Sequence, residues 1–476
     1  MKSAESIEPG SFEVENHYYP RVLNAHLHPV VKFFNTLGNA RLAQRYCHLH
    51  PEVREGRVTE LLTTRPRHFR WAGADLFLAT NERGLRRTVV VETNSSPSGQ
   101  KSMPFADDSP QSGYRKLMET SFLPMLKRRG LPSGGVAVLS DKNPMETRGY
   151  AAVLADLIGA PVWWVPWSID DPDPPARFVD GVLQVRDAQS LWHPIRGAFK
   201  YVTQKPWSRI PPVTRTLIYN SSLVCLAGGR NKLMAAKAYD FLNADLAPDQ
   251  LEIHTPETIW DVAKQEVPLW VERMGGVAVV KVPYSNAGQG VYTITNSEEL
   301  EAFMSAEHAY ELFIVQGLVG NAGWSSQTRD GRLYHVGTTP DRRGKIFAAD
   351  LRFMVGVSPE GFFPLAIYAR RARTALASTI ETGRSSWDML GTNLSRKLED
   401  GTWTTEPERL LLMDSRDFNR LGVGLDDLIE AYLQTVMAVT AIDRMCTRLV
   451  NTKNVFRRKM FGHLNPDDVL AAEICR

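Results

Sequence analysis

The sequence predicts an α/β (α+β) protein, with strand hairpins near residues 69–94 and 277–295 on either side of a small parallel-sheet unit. Three stretches predict it. Residues 89–99 (VVVETNSSPSG) run from β-branched residues into a polar turn. Residues 135–166 alternate strand, helix and strand. Residues 277–291 (VAVVKVPYSNAGQGV) set a strand, a glycine-rich loop and a second strand in succession.

The first stretch carries chemistry. Strand residues two apart point to the same face, so Glu92 and Asn94 present a carboxylate and an amide oxygen side by side. Ser95 to Gly99 then turn the chain. Two neighbouring hard oxygen donors at a strand end make half a Mg²⁺ site, because that ion prefers oxygen and is commonly shared with substrate phosphates. Residues 69–80 (FRWAGADLFLAT) and the turn at 81–87 complete a hairpin, with 89–94 as its second arm. Asp75 on the first arm can face Glu92 and bring a third oxygen ligand. The plainer alternatives are an ordinary strand end and a solvated aspartate on an edge strand.

Composition narrows the classes. A chain of 476 residues has room for about two or three domains. Hydrophobic content of 43% and charged content of 23% are ordinary for a globular protein. A net charge of +3 leaves no electrostatic footprint for nucleic acid. No apolar run approaches the roughly 20 residues that a membrane helix requires. The first residues lack the apolar core of a secretory signal. Cys47, Cys225, Cys446 and Cys475 are scattered, which fits reduced thiols in a cytoplasm better than a disulfide framework.

In order, residues 1–68 read as mainly helical, broken at His50-Pro51. Residues 63–70 (TTRPRHFR) form a basic lead-in. Arg65 and Arg67, with Arg196 and Arg209 further on, are candidates to recognise a carboxylate or are simply solvated. Residues 113–129 read as helix, 135–140 as buried strand, 145–158 as helix and 160–166 as strand, an order that argues for a parallel sheet. Residues 177–184 suggest a short hairpin or a strand. Residues 192–210 interleave cations with aromatics and read as an amphipathic helix plus a surface loop, since the modest total charge weighs against an RNA-binding patch. Residues 216–220 read as strand and 228–242 as helix. Lys232 lies in the first turn of that helix, where free N–H groups attract anions, or else on the surface.

The stretch at 277–291 is a phosphate device. Lys281 ends the strand and supplies charge. Ser285, Asn286, Ala287, Gly288, Gln289 and Gly290 form a loop whose glycines let backbone N–H groups approach an anion. A simple hairpin turn is the alternative. Residues 312–320 (LFIVQGLVG) form an apolar strand able to offer backbone at Gln316, Gly317 and Leu318 to an adenine edge. Residues 333–336, 348–357 and 362–372 read as strands. Arg352 and Arg370 sit on the latter two, where burial demands an anion or a salt bridge such as one to Asp350. Residues 387–395 are turn-rich and carry Asn393. A long amphipathic helix occupies 423–449, and Pro466-Asp467-Asp468 opens a last one.

Lys232, Lys281 with SNAGQG, the FIVQG strand, DLR, YARRA and TNLS resemble, in that order, the segments of ATP-grasp carboxylate–amine ligases. In most members the Asp and Glu-x-Asn metal strands come last. Here GAD at 73–75 and ETN at 92–94 come first. The chain therefore resembles a circularly permuted ATP-grasp protein, as in glutathionylspermidine-synthetase-like and eukaryotic glutathione-synthetase-like members. The ETNSSP and KVPYSNAGQG segments also resemble peptide ligases of the pheganomycin type. One departure is plain: the acid usual after the adenine strand is replaced by Gly317, so the ribose contact has no assigned residue.

The resemblance implies five regions: a helical segment at 1–68, a permuted metal hairpin at 69–112, a pre-ATP-grasp-like parallel-sheet domain at 113–225, a nucleotide domain at 226–450 and a tail at 451–476. It implies ATP and Mg²⁺ as cofactors, with Lys232, Lys281, the loop 285–290 and residues 316–318 on the nucleotide. Asp75, Glu92 and Asn94 would hold metal, and Arg352, Arg370 and Asn393 would serve catalysis. The implied reaction joins a small-molecule acid to an amine, such as an amino acid or peptide, through an acyl phosphate. Nucleic acid and membrane are not expected as partners, and a cytoplasmic homodimer is. A small-molecule kinase and a catalytically silent nucleotide-binding regulator are the alternatives on the same fold.

Overall fold

Residues 2–106, 109–285, 288–380, 385–397 and 403–474 are described in the structure, a computed structural model. Among the described residues, the strands form three large sheets and one two-stranded ribbon.

The parallel unit forms as its sequence requires. Gly135–Ser140 is followed by the helix Pro144–Ile158 and the strand Val162–Pro166, which pairs parallel to the first. Ala137, Val138 and Leu139 are all fully buried, the continuous apolar run of a strand covered on both faces. Ala176–Val179 and Val182–Arg186 form the expected hairpin at one edge. Glu5–Ile7 closes the other edge.

Trp192–Tyr201 differs from expectation: it is a strand of this sheet, parallel to Gly135–Ser140 and Leu217–Tyr219. Pro194 disfavours a helix interior. Burial from Gly197 to Tyr201 makes this a core element despite its basic composition. The helix expected at 113–129 is interrupted. Its turns loosen at Met118–Phe122, just before Leu123–Leu126, where Pro124 has no amide hydrogen to donate.

The second sheet is antiparallel, in the order Thr258–Ala263, Leu312–Gln316, Ala278–Lys281, Val291–Ile294. Its edge strand Thr258–Ala263 and the helices Val267–Arg273 and Ser297–Ser305 have no counterpart in the sequence reading.

The third sheet joins distant parts of the chain. The early hairpin Trp71–Asn81 and Arg86–Asn94 lies beside the late hairpin Ala349–Ser358 and Gly361–Arg371. The short strand Leu333–His335 pairs with the far end of Trp71–Asn81. The helix Leu425–Leu449 packs against Arg86–Asn94 and against the helix Lys232–Leu246. Asp427 caps its start by accepting the Gly424 N–H at 2.7 Å. No helix among the described residues is long and apolar enough to cross a membrane.

Candidate active site

Register sets the acids. Asp75 lies directly opposite Glu92, and Gly73 opposite Asn94. Between Asp75 and Leu76 the ladder slips, because Leu76 pairs with Val90 and leaves Val91 as a bulge. Bulges re-aim backbone groups, and here the Val91 carbonyl accepts from Lys281 Nζ at 3.3 Å. Lys281 also donates to Gln316 Oε1 at 2.6 Å. Burial pushes the Lys281 amine down to about 8; nearby Lys232 pushes the same way, while Glu92 and Asp75 oppose it.

Lys232 begins its helix beyond an Asn231 cap, whose side chain accepts the Met234 N–H at 3.2 Å. Its ammonium donates to Ser285 Oγ at 3.1 Å and lies 3.6 Å from Glu92 Oε1. An acid from the early hairpin and two lysines from later in the chain thus converge, and all three line one small recess.

Two larger spaces adjoin it. A cavity of about 820 Å³ is lined by Glu92, Asn94, Lys232, Ser285, Arg352 and Arg370, among others. A slot of about 100 Å³ is walled by Phe77, Val279, Val291, Leu318, His335 and Leu390. Asp75, Glu92, Gly288, Val291, Arg370 and Asn393 line both, so the slot opens into the cavity. An apolar slot leading to a charged chamber suits a flat base with an anionic tail.

The described loop residues Ser285, Gly288, Gln289 and Gly290 line the large cavity. Gly288 and Gly290 have φ of +77° and +71°, which glycine adopts without strain. A Cβ at Gly288 would come within 2.5 Å of Asn393 Nδ2, so the loop rests directly on the 385–397 segment. Gln289 lines the large cavity. Asn286 and Ala287 lie outside the described residues.

The strand at Gln316 is less free than the sequence suggests. Gly317 N–H donates to Glu257 O at 2.8 Å, and Leu318 N–H donates to Ser326 Oγ at 2.7 Å. The Leu318 carbonyl accepts from Ser325 Oγ and from Ser326 N–H, both at 3.1 Å. These groups already have partners, and what residues 317–318 give the slot is chiefly surface.

Asp75, Asp350, Arg352 and Arg370 form a buried charge network. Arg352 Nε and Nη2 each lie 2.5 Å from an Asp75 oxygen. Arg370 pairs with Asp350 and reaches Asp75 Oδ2 at 2.9 Å. Burial pushes the Asp75 carboxyl up, but the two guanidiniums outweigh it and hold that carboxyl well below the usual carboxylate range. The structural alternative, a salt bridge to Asp350, is realised for Arg370.

The metal donors divide accordingly. Asn94 is buried, lines the cavity, and its Nδ2 has no hydrogen-bond partner. With Glu92 it offers oxygens of the kind Mg²⁺ takes, and these two fit the ion. Asp75 fits only if it exchanges guanidinium for metal. Among the described residues, no group of three or more His, Cys, Asp or Glu side chains is disposed to hold a metal.

Other candidates lie elsewhere. Arg196 donates to the Leu126 carbonyl at 3.0 and 2.8 Å, and Arg209 to the Trp167 and Gln204 carbonyls, so both brace loops. Neither they nor Arg65 and Arg67 line the cavity. His335 was not singled out from the sequence. It is buried in the slot wall and neither ring nitrogen has a partner. Lys101, Lys142 and Arg230 also line the large cavity unannounced. Lys142 does follow the carboxyl end of a parallel strand, where such sheets place ligands, and that signal was available.

No family model matches the chain, and neither does any curated protein. Among solved structures it is similar to a RimK-domain ATP-grasp protein from Sphaerobacter thermophilus, with a TM-score of 0.28 and 13% identity over 49% of this chain and 90% of that one. It is also similar to a glutathione synthetase-like effector from Globodera pallida in its apo form, with a TM-score of 0.36 and 10% identity over 78% of this chain and 88% of that one. Likenesses this distant leave the function to be read from the site itself.

Proposed function

We propose that the chain is an ATP-dependent carboxylate–amine ligase on a circularly permuted ATP-grasp fold, with region boundaries near residues 68, 112, 225 and 450. The observation that carries this reading is the meeting of Glu92 with Lys232 and Lys281 around one recess, beside an apolar slot that opens into a larger cavity. Residues nearly two hundred positions apart would not converge there by local chain geometry.

On this reading the base of ATP enters the slot. Lys232 and Lys281 neutralise its phosphates, and Ser285, Gly288, Gln289 and Gly290, which line the cavity, help to exclude water. Glu92 and Asn94 would hold Mg²⁺, which would supply positive charge beside the phosphates. A substrate carboxylate oxygen attacks the γ-phosphorus, and ADP leaves. The amine nitrogen of the second substrate then attacks the acyl carbon, the C–O bond to phosphate breaks, and the nitrogen loses a proton. Arg352 and Arg370 present fixed guanidinium dipoles to the cavity, their formal charge balanced by Asp75 and Asp350. No protein nucleophile takes part.

The test is ADP release from ATP and Mg²⁺, screened against amino acids and short peptides, with products read by mass spectrometry. A new amide with one phosphate released per bond is the expected result. A phosphorylated alcohol would make the protein a kinase. Nucleotide binding without substrate-stimulated ADP release would make it a regulator.

A further inference from the structure

The wall of the large cavity away from the slot is cationic. Lys101, Lys142 and Arg230 line it, from three separate segments of the chain. Arg230 Nη2 donates to the Ser96 carbonyl at 3.1 Å. Lys101 donates to Asn143 Oδ1 and stands 5.0 Å from the centre of the Tyr19 ring. Among the described residues, no carboxylate lies within ion-pair distance of Lys101 or Lys142.

The two acids that flank Lys142 in the chain segment 141–146 are engaged elsewhere. Asp141 accepts from Thr203 N–H at 2.6 Å, Thr203 Oγ1 at 3.1 Å and Gln204 N–H at 2.7 Å, with Arg209 at 3.4 Å. Glu146 is fully buried. It accepts from Ser98 Oγ at 2.7 Å, Asn143 Nδ2 at 2.8 Å, and the Gly99 and Gln100 N–H groups at 3.0 Å each. Burial pushes the Lys142 amine down to about 8, and Arg230, Arg352 and Lys101 push the same way against a pull from Asp141. Lys101 and Lys142 therefore face the open space with no described carboxylate in ion-pair reach, an arrangement that favours the entry of an anion.

The phosphates do not account for the two lysines of this wall: Arg230 shares the small recess with Lys232 and Lys281, whereas Lys101 and Lys142 lie outside it. We propose that Lys101, Lys142 and Arg230 form a subsite for a second acidic group of the substrate, so that the acid joined is a dicarboxylate or an acidic peptide. One carboxylate would be fixed here while the other faces the nucleotide. The inference rests on the ligase reading. The cavity volume, about 820 Å³, lies in the upper part of the ~300–1,000 Å³ range of ligand pockets, roomy enough for such a substrate beside a nucleotide tail.

Calorimetry on the full chain tests it. The chain is loaded with Mg²⁺ and a non-hydrolysable ATP analogue, then titrated with L-glutamate against L-glutamine, and with Ala-Glu and Ala-Asp against Ala-Gln and Ala-Asn. At least one acidic probe should bind about tenfold more tightly than its amide. Lys142→Met and Lys101→Met should each erase most of that preference, with the affinity for the analogue changed less than twofold. Absence of any preference for the acidic probes, or a preference that survives both substitutions, overturns the subsite and leaves the ligase reading standing. A weaker grip on the analogue in either variant would assign this wall to the nucleotide phosphates and overturn it too. Failure of the unaltered chain to take up the analogue overturns both readings together.

Discussion

Lys281 Nζ lies 3.3 Å from the carbonyl oxygen of Val91, the one residue of its strand segment that the ladder skips. The bulge frees that carbonyl, and the lysine fixes the cationic sheet against the acidic hairpin. The same burial that positions the amine lowers its proton affinity.

Nucleotide affinity should therefore depend on alkaline pH. Lys281 titrates near 8 in the folded chain, below its usual 10.5. Its charge is present below that pH and is lost as pH rises through it. The Kd for ATP, measured by calorimetry, should rise by up to about tenfold per pH unit above 8. Lys281→Arg, which stays cationic, should flatten that slope. A slope unchanged by the substitution would assign the titration to another group.

Glu92→Gln replaces a charged metal donor with a neutral one of the same shape. The ligation rate should fall at least tenfold, with the near-ultraviolet circular dichroism unchanged. Undiminished turnover in the purified variant would remove Glu92 from the metal site.

Asp75 holds two guanidiniums, and that role can be separated from metal binding. Asp75→Ala leaves Arg352 buried without either of its hydrogen bonds to that carboxylate, and should cost about 3–5 kcal/mol in urea denaturation. Adding Arg352→Met should recover much of the loss. A stability change under about 1 kcal/mol for Asp75→Ala would contradict the network, since removing one partner of a buried pair costs more than that.

His335 gives opposite signs in two assays. Its imidazole is buried without a partner, and burial holds its pKa near 4, below the usual 6.5. The unfolded chain takes up that proton as pH falls through 6.5 and the folded chain resists it. Stability therefore drops between pH 6.5 and 4, by up to roughly 3 kcal/mol from this group. His335→Leu should remove that part of the acid slope in thermal melts at a series of pH values. If the ring contacts the base, the same variant should weaken ATP binding by about tenfold. A variant that keeps both the slope and the affinity would dismiss His335 from the slot.

The sequence makes some of this arrangement readable and hides the rest for definite reasons. The period of two on 89–94 puts Glu92 and Asn94 on one face, and both line the same cavity. The glycines after Lys281 mark a positive-φ loop, and Gly288 and Gly290 adopt it. What stays hidden depends on partners far along the chain. Asp75 pairs with Arg352 because sheet register sets them opposite each other, a fact that no local window contains. Trp192–Tyr201 carries a surface-like composition, and only neighbours on both sides make it a core strand. His335 sits on a three-residue strand too short to have a pattern, and it gains meaning from the slot around it.

The third sheet has a consequence for biosynthesis. Trp71–Asn81 is made early, but its neighbour Ala349–Ser358 emerges some 270 residues later. At ~5–20 residues per second, the nascent chain carries that open strand edge for roughly 15–50 s before its mate exists. An unpaired edge is a template for pairing with other chains. Fragments ending before residue 349 should therefore aggregate where the full chain does not, and the acidic hairpin cannot be studied as a piece cut from the rest.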